Sequence, residues 1–175
     1  MKVLLATQKP FSAAAVAGIE DILTTAGHSL VKLEKYADQS ELVAAVADVQ
    51  ALIIRSDKVT AEVLDAAPEL KIVVRAGAGF DNVDLEAATA HGVVVMNTPG
   101  QNSNAVAELA IAMMIFMSRG QFTPATGSEI MGKTLGVQAY GNVGRLVGRK
   151  AEALGLKIMA IDPFIPAEKI REAGA

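Results

Sequence analysis

Along residues 1–98, short apolar runs alternate with longer stretches of helical period. The runs Lys2–Thr7, Ser29–Leu33, Ala51–Arg55, Lys71–Ala76 and Val93–Asn97 are each bounded by turn residues. They mostly lack in/out alternation, which predicts parallel strands buried on both faces. Between them, Ser12–Ala26, Ser40–Ala47, Thr60–Ala67 and Asp84–Ala90 read as helices. Thr60 and Asp84 suit N-caps, because Glu62 and Glu86 follow in the first turn, where a carboxylate is favoured by the helix dipole. Strands alternating with helices imply βαβ crossovers, hence a doubly wound α/β sheet.

Ser103–Arg119 is a long helix in the pattern, with Ala107, Ala110, Met114 and Met117 on one side and Val106, Leu109, Met113 and Phe116 on an adjoining one. A helix apolar around most of its circumference is expected to be buried on several sides, as a central core helix. The alternative is that part of it forms a subunit interface, which Met-rich surfaces suit. The segment "GQFTPATGSEIMG" (120–132) reads as a linker. The strand–helix–strand pattern then restarts with Thr134–Ala139, a helix from about Asn142 to Leu154, strand Lys157–Ile161 and a short helix in "IPAEKIREAGA".

Composition narrows the class. Hydrophobic residues make up 51% and aromatic residues 4%, so the core must be built from Ala, Val, Leu, Ile and Met. A net charge of −3 argues against a nucleic-acid or anionic-membrane binder, whose footprint would be basic. There is no cysteine, hence no disulfide, no thiolate nucleophile and no cysteine metal site. The N-terminus "MKVLLATQKP" is too briefly apolar for a signal peptide, and the longest apolar run, Leu109–Met117, is short of a membrane span. A cytoplasmic protein is the expectation.

The candidate chemistry lies first in "VQAYGNVGRLVG" (137–148). A dinucleotide site needs a tight strand-to-helix turn, a backbone that approaches the pyrophosphate, and helix N–H groups facing it. The usual G-x-G-x-x-G places one glycine in each of three roles: turn, approach and helix–strand packing. Here Ala139, Gly141 and Gly144 hold those places. Ala139 is harmless at negative φ and costs on the order of 1–2 kcal/mol if it must be left-handed. Asp162 closes the following strand, where an acid bonds both ribose hydroxyls and repels a 2′-phosphate, favouring NAD over NADP. Pro163-Phe164 offers no Arg for that phosphate. The competing reading is an incidental Gly-rich turn in an α/β fold.

With that turn, "GKTLGVQAYGNVGR" (132–145) and "IDPF" (161–164) resemble the cofactor region of the D-isomer-specific 2-hydroxyacid dehydrogenases. "IIRSDKVTAEVLDAAPELKIVVRAGAGFDNVDLEAA" (53–88) and "VVVMNTPGQNSNAVAELAIA" (93–112) are similar to that family's substrate half. The resemblance implies a flavodoxin-like parallel-sheet substrate domain (1–98), an interdomain and interface helix (99–119) and the first half of a Rossmann NAD-binding domain (120–175). It implies NAD as cofactor, held by Tyr140, Gly141, Asn142, Val143, Gly144, Asp162 and Pro163. For a small anionic 2-hydroxy acid it implies Arg55 and Ser56, the turn Ala76, Gly77 and Ala78 with Arg75 beside it, and Asn102. Physical chemistry agrees: a guanidinium ending a parallel strand is a good fork for phosphate or carboxylate, and glycines let backbone N–H groups face an anion. The alternative for Arg55 and Arg75 is ordinary ion pairing with Asp57, Asp81 or Asp84, and Lys58 is a weaker phosphate candidate.

In the resembled family the acid/base His, its Glu partner and a catalytic Arg come from the second Rossmann half, and no residue of this chain matches them. His28 and His91 sit at helix-end turns. The expectation is therefore a truncated, N-terminal portion, inactive alone, with an unpaired sheet edge after its last strand. Self-association through helix 103–119 is expected, with no nucleic-acid or membrane partner. A different class stays open at this point: a non-catalytic flavodoxin-like binding or assembly module.

Overall fold

The β-branched and Leu-rich runs do form strands. The computed structural model describes residues 1–175, which divide into two compact units, Met1–Pro99 and Gly100–Ala175. The first unit contains β1 (Lys2–Thr7), α1 (Ala13–Thr25), β2 (Ser29–Glu34), α2 (Gln39–Ala45), β3 (Ala51–Ile54), α3 (Ala61–Asp65), β4 (Ile72–Arg75), α4 (Leu85–Ala90) and β5 (Val94–Asn97). All five strands pair in parallel in the order β2-β1-β3-β4-β5, the flavodoxin-like doubly wound arrangement. The register sets Leu4 beside Val31 and Leu52, and Val73 beside Leu52 and Val95.

One core serves this unit. Leu4, Ala6, Leu52, Ile54 and Val73 supply the sheet side, and Leu42, Val46, Val63, Leu64 and Ala88 the opposing side from α2, the turn after it, α3 and α4. Burial on both faces, expected for every strand, holds for β1 and β3. It fails for β2 and β5, the sheet edges, where Val31, Val94 and Met96 are exposed. An edge strand has a hydrogen-bonded neighbour on one side only.

Helix ends follow local chemistry. The Asp84 carboxylate accepts the Ala87 N–H at 2.9 Å, as expected of an N-cap. Thr60 holds the cap position of α3 but makes no side-chain bond there. An unforeseen capping box starts α2: Asp38 accepts from Ser40 N, and Glu41 reaches back to Asp38 N at 3.1 Å.

The second unit runs α5 (Ser103–Ser118), a 3-10 turn (Gly120–Phe122), β6 (Thr134–Gln138), α6 (Asn142–Ala153), β7 (Lys157–Ile161) and α7 (Ala167–Glu172). β6 and β7 pair in parallel as a two-stranded sheet whose residues alternate between half-buried and exposed. Burial on both faces is absent here too, and Met159 and Ile161 are 65% and 69% exposed. The core-helix expectation for 103–119 is corrected: only Ser103 and Ala107 of α5 are buried. Leu109, Met113 and Met117 are more than half exposed, so the apolar circumference is mostly surface.

Candidate functional site

The glycine turn forms as a strand-to-helix crossing. β6 ends at Gln138, Ala139–Gly141 make the turn, and α6 begins at Asn142 with no side chain capping it. Gly141, at φ −77° and ψ −152°, is the N-cap, and a Cβ built on it would meet nothing within 4 Å. That open space lies at an uncapped helix N-terminus, whose free N–H groups and dipole favour an anion. Gly144 has a different duty, because a Cβ there would strike the Ala139 carbonyl, so its absence lets α6 close onto β6. The donor set and the free space fit a pyrophosphate.

Ala139 takes the unfavourable of its two options. Its φ is +75°, the left-handed region that the missing first glycine would adopt freely. Ala139→Gly is therefore expected to stabilise the second unit by about 1 kcal/mol, read from its urea midpoint. An unchanged midpoint would show that the methyl is carried without strain.

Tyr140 does not present its side chain to a ligand. The ring is fully buried against Gly148, and its hydroxyl finds no hydrogen-bond partner. Its N–H is also engaged, donating to Asp162 Oδ2 at 2.7 Å. Tyr140 thus supports the turn from beneath, which a sequence position between two motif residues could not reveal.

Asp162 braces the same turn. Besides Tyr140 N it accepts Phe164 N at 2.8 Å and Ile165 N at 3.1 Å, both on Oδ1. A carboxylate has about four acceptor positions, so Oδ2 retains capacity for a ribose hydroxyl. The Phe164 and Tyr140 amides, then Ile165 and the nearby Arg145 charge, hold its pKa below the ordinary carboxylate range. A depressed folded pKa stabilises above the unfolded value and is lost only as pH falls through the folded one, so the brace persists into moderately acidic solution. Pro163 is exposed in the loop that follows. Beside the helix N-terminus, Gly100, Ser103, Asn142, Arg145 and Arg149 line an open depression of about 460 Å³. Arg145 donates from Nε to the Tyr140 carbonyl at 3.0 Å.

The first unit collects its candidates at the C-terminal ends of β3 and β4. Arg55 and Ser56 are exposed just after β3, and Arg75 ends β4. Neither arginine pairs with Asp57, Asp81 or Asp84, so the ordinary ion-pair alternative is absent. Of the turn amides, Ala76 N donates to Ile54 O and Gly77 N to Arg75 O, each at 2.8 Å. The donors open to an anion narrow to Ala78 and Gly79. Asn102 belongs to the second unit, where it holds the N-cap position of α5 without making a cap bond.

Asp57 is the residue whose role the sequence hid. It is 5% exposed, and its carboxylate accepts the Tyr36 hydroxyl and Gln8 N at 2.8 Å and Arg55 N at 3.2 Å. Burial, then the Asp57 carboxylate as acceptor and charge, then Glu41 push the Tyr36 pKa upward, keeping the phenol a donor. Arg55 N is a near neighbour, but Tyr36 and Gln8 are 21 and 49 residues away, so no local signal announces the cluster.

Neither histidine stands near these groups. His28 precedes β2 and contacts the N-terminal amine at 3.2 Å, while His91 follows α4 and pairs with Asp65 at 2.9 Å. Both lie before the N-terminal ends of strands, at the opposite pole of the parallel sheet from Arg55 and Arg75.

A doubly wound sheet with cationic groups at its strand C-termini, followed by a glycine turn braced by the acid after the next strand, defines a class of nucleotide-linked α/β protein. This chain belongs to the D-isomer specific 2-hydroxyacid dehydrogenase family, whose catalytic-domain model matches residues 5–161. It is 43% identical over 152 residues to D-3-phosphoglycerate dehydrogenase of Mycobacterium leprae (strain TN), covering 78% of this chain and 29% of that protein. The Rattus norvegicus protein of the same name is 43% identical over 162 residues, covering 84% and 30%. An NAD+-bound crystal structure of 3-phosphoglycerate dehydrogenase in Entamoeba histolytica superimposes with a TM-score of 0.93 at 47% identity, covering 99% of this chain and 59% of that one. The apo-structure of Escherichia coli D-lactate dehydrogenase, 26% identical, gives a TM-score of 0.75 over 99% of this chain and 59% of that one. The chain thus spans about three-tenths of the length of the curated relatives it matches.

Proposed function

We propose that this chain supplies substrate-anchoring and NAD-binding elements of a dehydrogenase that oxidises D-3-phosphoglycerate to 3-phosphohydroxypyruvate. The observation that carries the reading is the open, uncapped N-terminus of α6 at Gly141, braced by Asp162. The amides of Asn142, Val143 and Gly144 face the pyrophosphate, and the free acceptor position of Asp162 takes a ribose hydroxyl, which disfavours a 2′-phosphate. Arg55, Ser56 and the Ala78 amide hold the anionic substrate. Bound NAD supplies the hydride acceptor, while the hydroxyl proton needs a base. His28 and His91 are committed elsewhere, so the 175 residues bind without turning over.

The chain also self-associates. Leu109, Met113, Phe116 and Met117 leave an apolar strip on α5, and the Phe116 ring meets Phe122 edge-on at 5.2 Å. A second copy offering the same strip buries both in a two-fold contact. Met113→Lys, at an exposed position, is expected to shift sedimentation from dimer to monomer without unfolding. A monomeric parent protein would remove the interface. No helix is long and apolar enough to cross a membrane, and we place the protein in the cytoplasm.

Amide shifts of the labelled chain test the binding reading directly. NAD should move Asn142–Gly144, and D-3-phosphoglycerate should move Arg55, Ser56 and Ala78. Arg55→Ala is expected to weaken phosphoglycerate binding by about tenfold or more, the loss of one charge-assisted contact. Equal affinity in that variant would take Arg55 out of the site.

A further inference from the structure

Arg75 stands beside the anion-binding turn, yet its guanidinium is already employed. Nε donates to the carbonyl of Arg55 at 2.8 Å, across from the end of β4 to the end of β3. The side chain lies where a Cβ of Gly77 would be, so the space the glycine opens is filled by Arg75 and not left for a ligand. It forms no ion pair with any carboxylate. On the other flank of Arg55, its own N–H is held by the buried Asp57 at 3.2 Å.

We propose that Arg75 is a positioning residue and not a substrate ligand: it grips the carbonyl of Arg55 while Asp57 grips the amide, fixing the backbone that aims Arg55 and Ser56. This rests on the reading of Arg55 and Ser56 as the anion-binding pair. A backbone held on both flanks before binding leaves less conformational freedom to be lost when the anion arrives. It also explains why Arg55 itself is exposed and unpaired, since the neighbouring guanidinium is turned to the backbone and leaves the anion to Arg55.

The brace has a signature that ligation lacks. Gln carries its amide nitrogen at the same reach along the side chain as Arg carries Nε, whereas Met has no donor. In the full 175-residue chain, the Arg75 Nε–H should give a resolved ¹⁵N resonance protected from exchange. Titrated with D-3-phosphoglycerate, Arg75→Gln should bind about fivefold more tightly than Arg75→Met, because both lose the same charge and differ by one neutral hydrogen bond. The Val73 amide, in the core of β4, reports that each variant remains folded. An unprotected Nε–H, or equal weakening by Gln and Met, would overturn the proposal. A protected Nε–H in a parent chain with no phosphoglycerate affinity leaves the brace standing and removes the ligand role of Arg55 instead.

Discussion

Asp57→Ala should lower the stability of the first unit by about 3 kcal/mol, because three donors lose their acceptor at once. The Tyr36 hydroxyl is buried with its ring, and the Gln8 and Arg55 amides are tied into loops that cannot turn to water freely. Relief of the carboxylate's own desolvation offsets part of this, which keeps the figure below the sum of three separate bonds. The thermal midpoint is expected to fall by about 10 °C for a chain of this size. Tyr36→Phe, which removes one donor and leaves the acceptor satisfied by two amides, should cost about 1 kcal/mol. Equal effects in the two variants would mean that Asp57 is not the centre of the cluster. Loss of phosphoglycerate binding in Asp57→Ala at a temperature where the chain stays folded would tie the same residue to the Arg55 turn.

Gly144→Ala is expected to destabilise the second unit by about 2–3 kcal/mol and to abolish NAD binding with it. The added methyl meets the Ala139 carbonyl, a backbone atom that moves only if α6 lifts from β6. Lifting the helix carries the Asn142 and Val143 amides away from where the pyrophosphate would lie. Gly141→Ala is the control that separates folding from binding. Its φ is negative and its Cβ would meet open space, so stability should hold while NAD affinity drops. If Gly141→Ala binds NAD as well as the parent, the phosphates do not approach there. If Gly144→Ala is as stable as the parent, the helix and strand are looser than their spacing indicates.

Much of this was legible in the chain. The turn-bounded apolar runs located every strand, two of them, Lys2–Thr7 and Lys157–Ile161, residue for residue. Asp84 capped its helix as its position promised, because capping depends on residues three apart. Thr60 takes the extended N-cap backbone but its hydroxyl makes no cap bond, while Asp38, with Glu41 three residues on, completes a capping box. The glycine spacing marked the turn between β6 and α6, but not the sign of φ at Ala139. That sign comes from how the strand must bend to meet its helix.

Hydrophobic period, glycine spacing and turn chemistry act over a few residues, so the sequence by itself determined the order of elements, the doubly wound class and the place of the glycine turn. Tertiary structure alone decided which polar groups meet. It spent Tyr140 as a buried prop, bent Asp162 back onto three amides, set Asp57 among loops from β1, β2 and β3, and left the apolar face of α5 outside. The Arg55, Phe164 and Ile165 amides lie within three residues of the carboxylates they reach, but the Tyr140 amide on Asp162 and the Tyr36 and Gln8 groups on Asp57 come from more than twenty residues away. No window of neighbouring residues carries that distance.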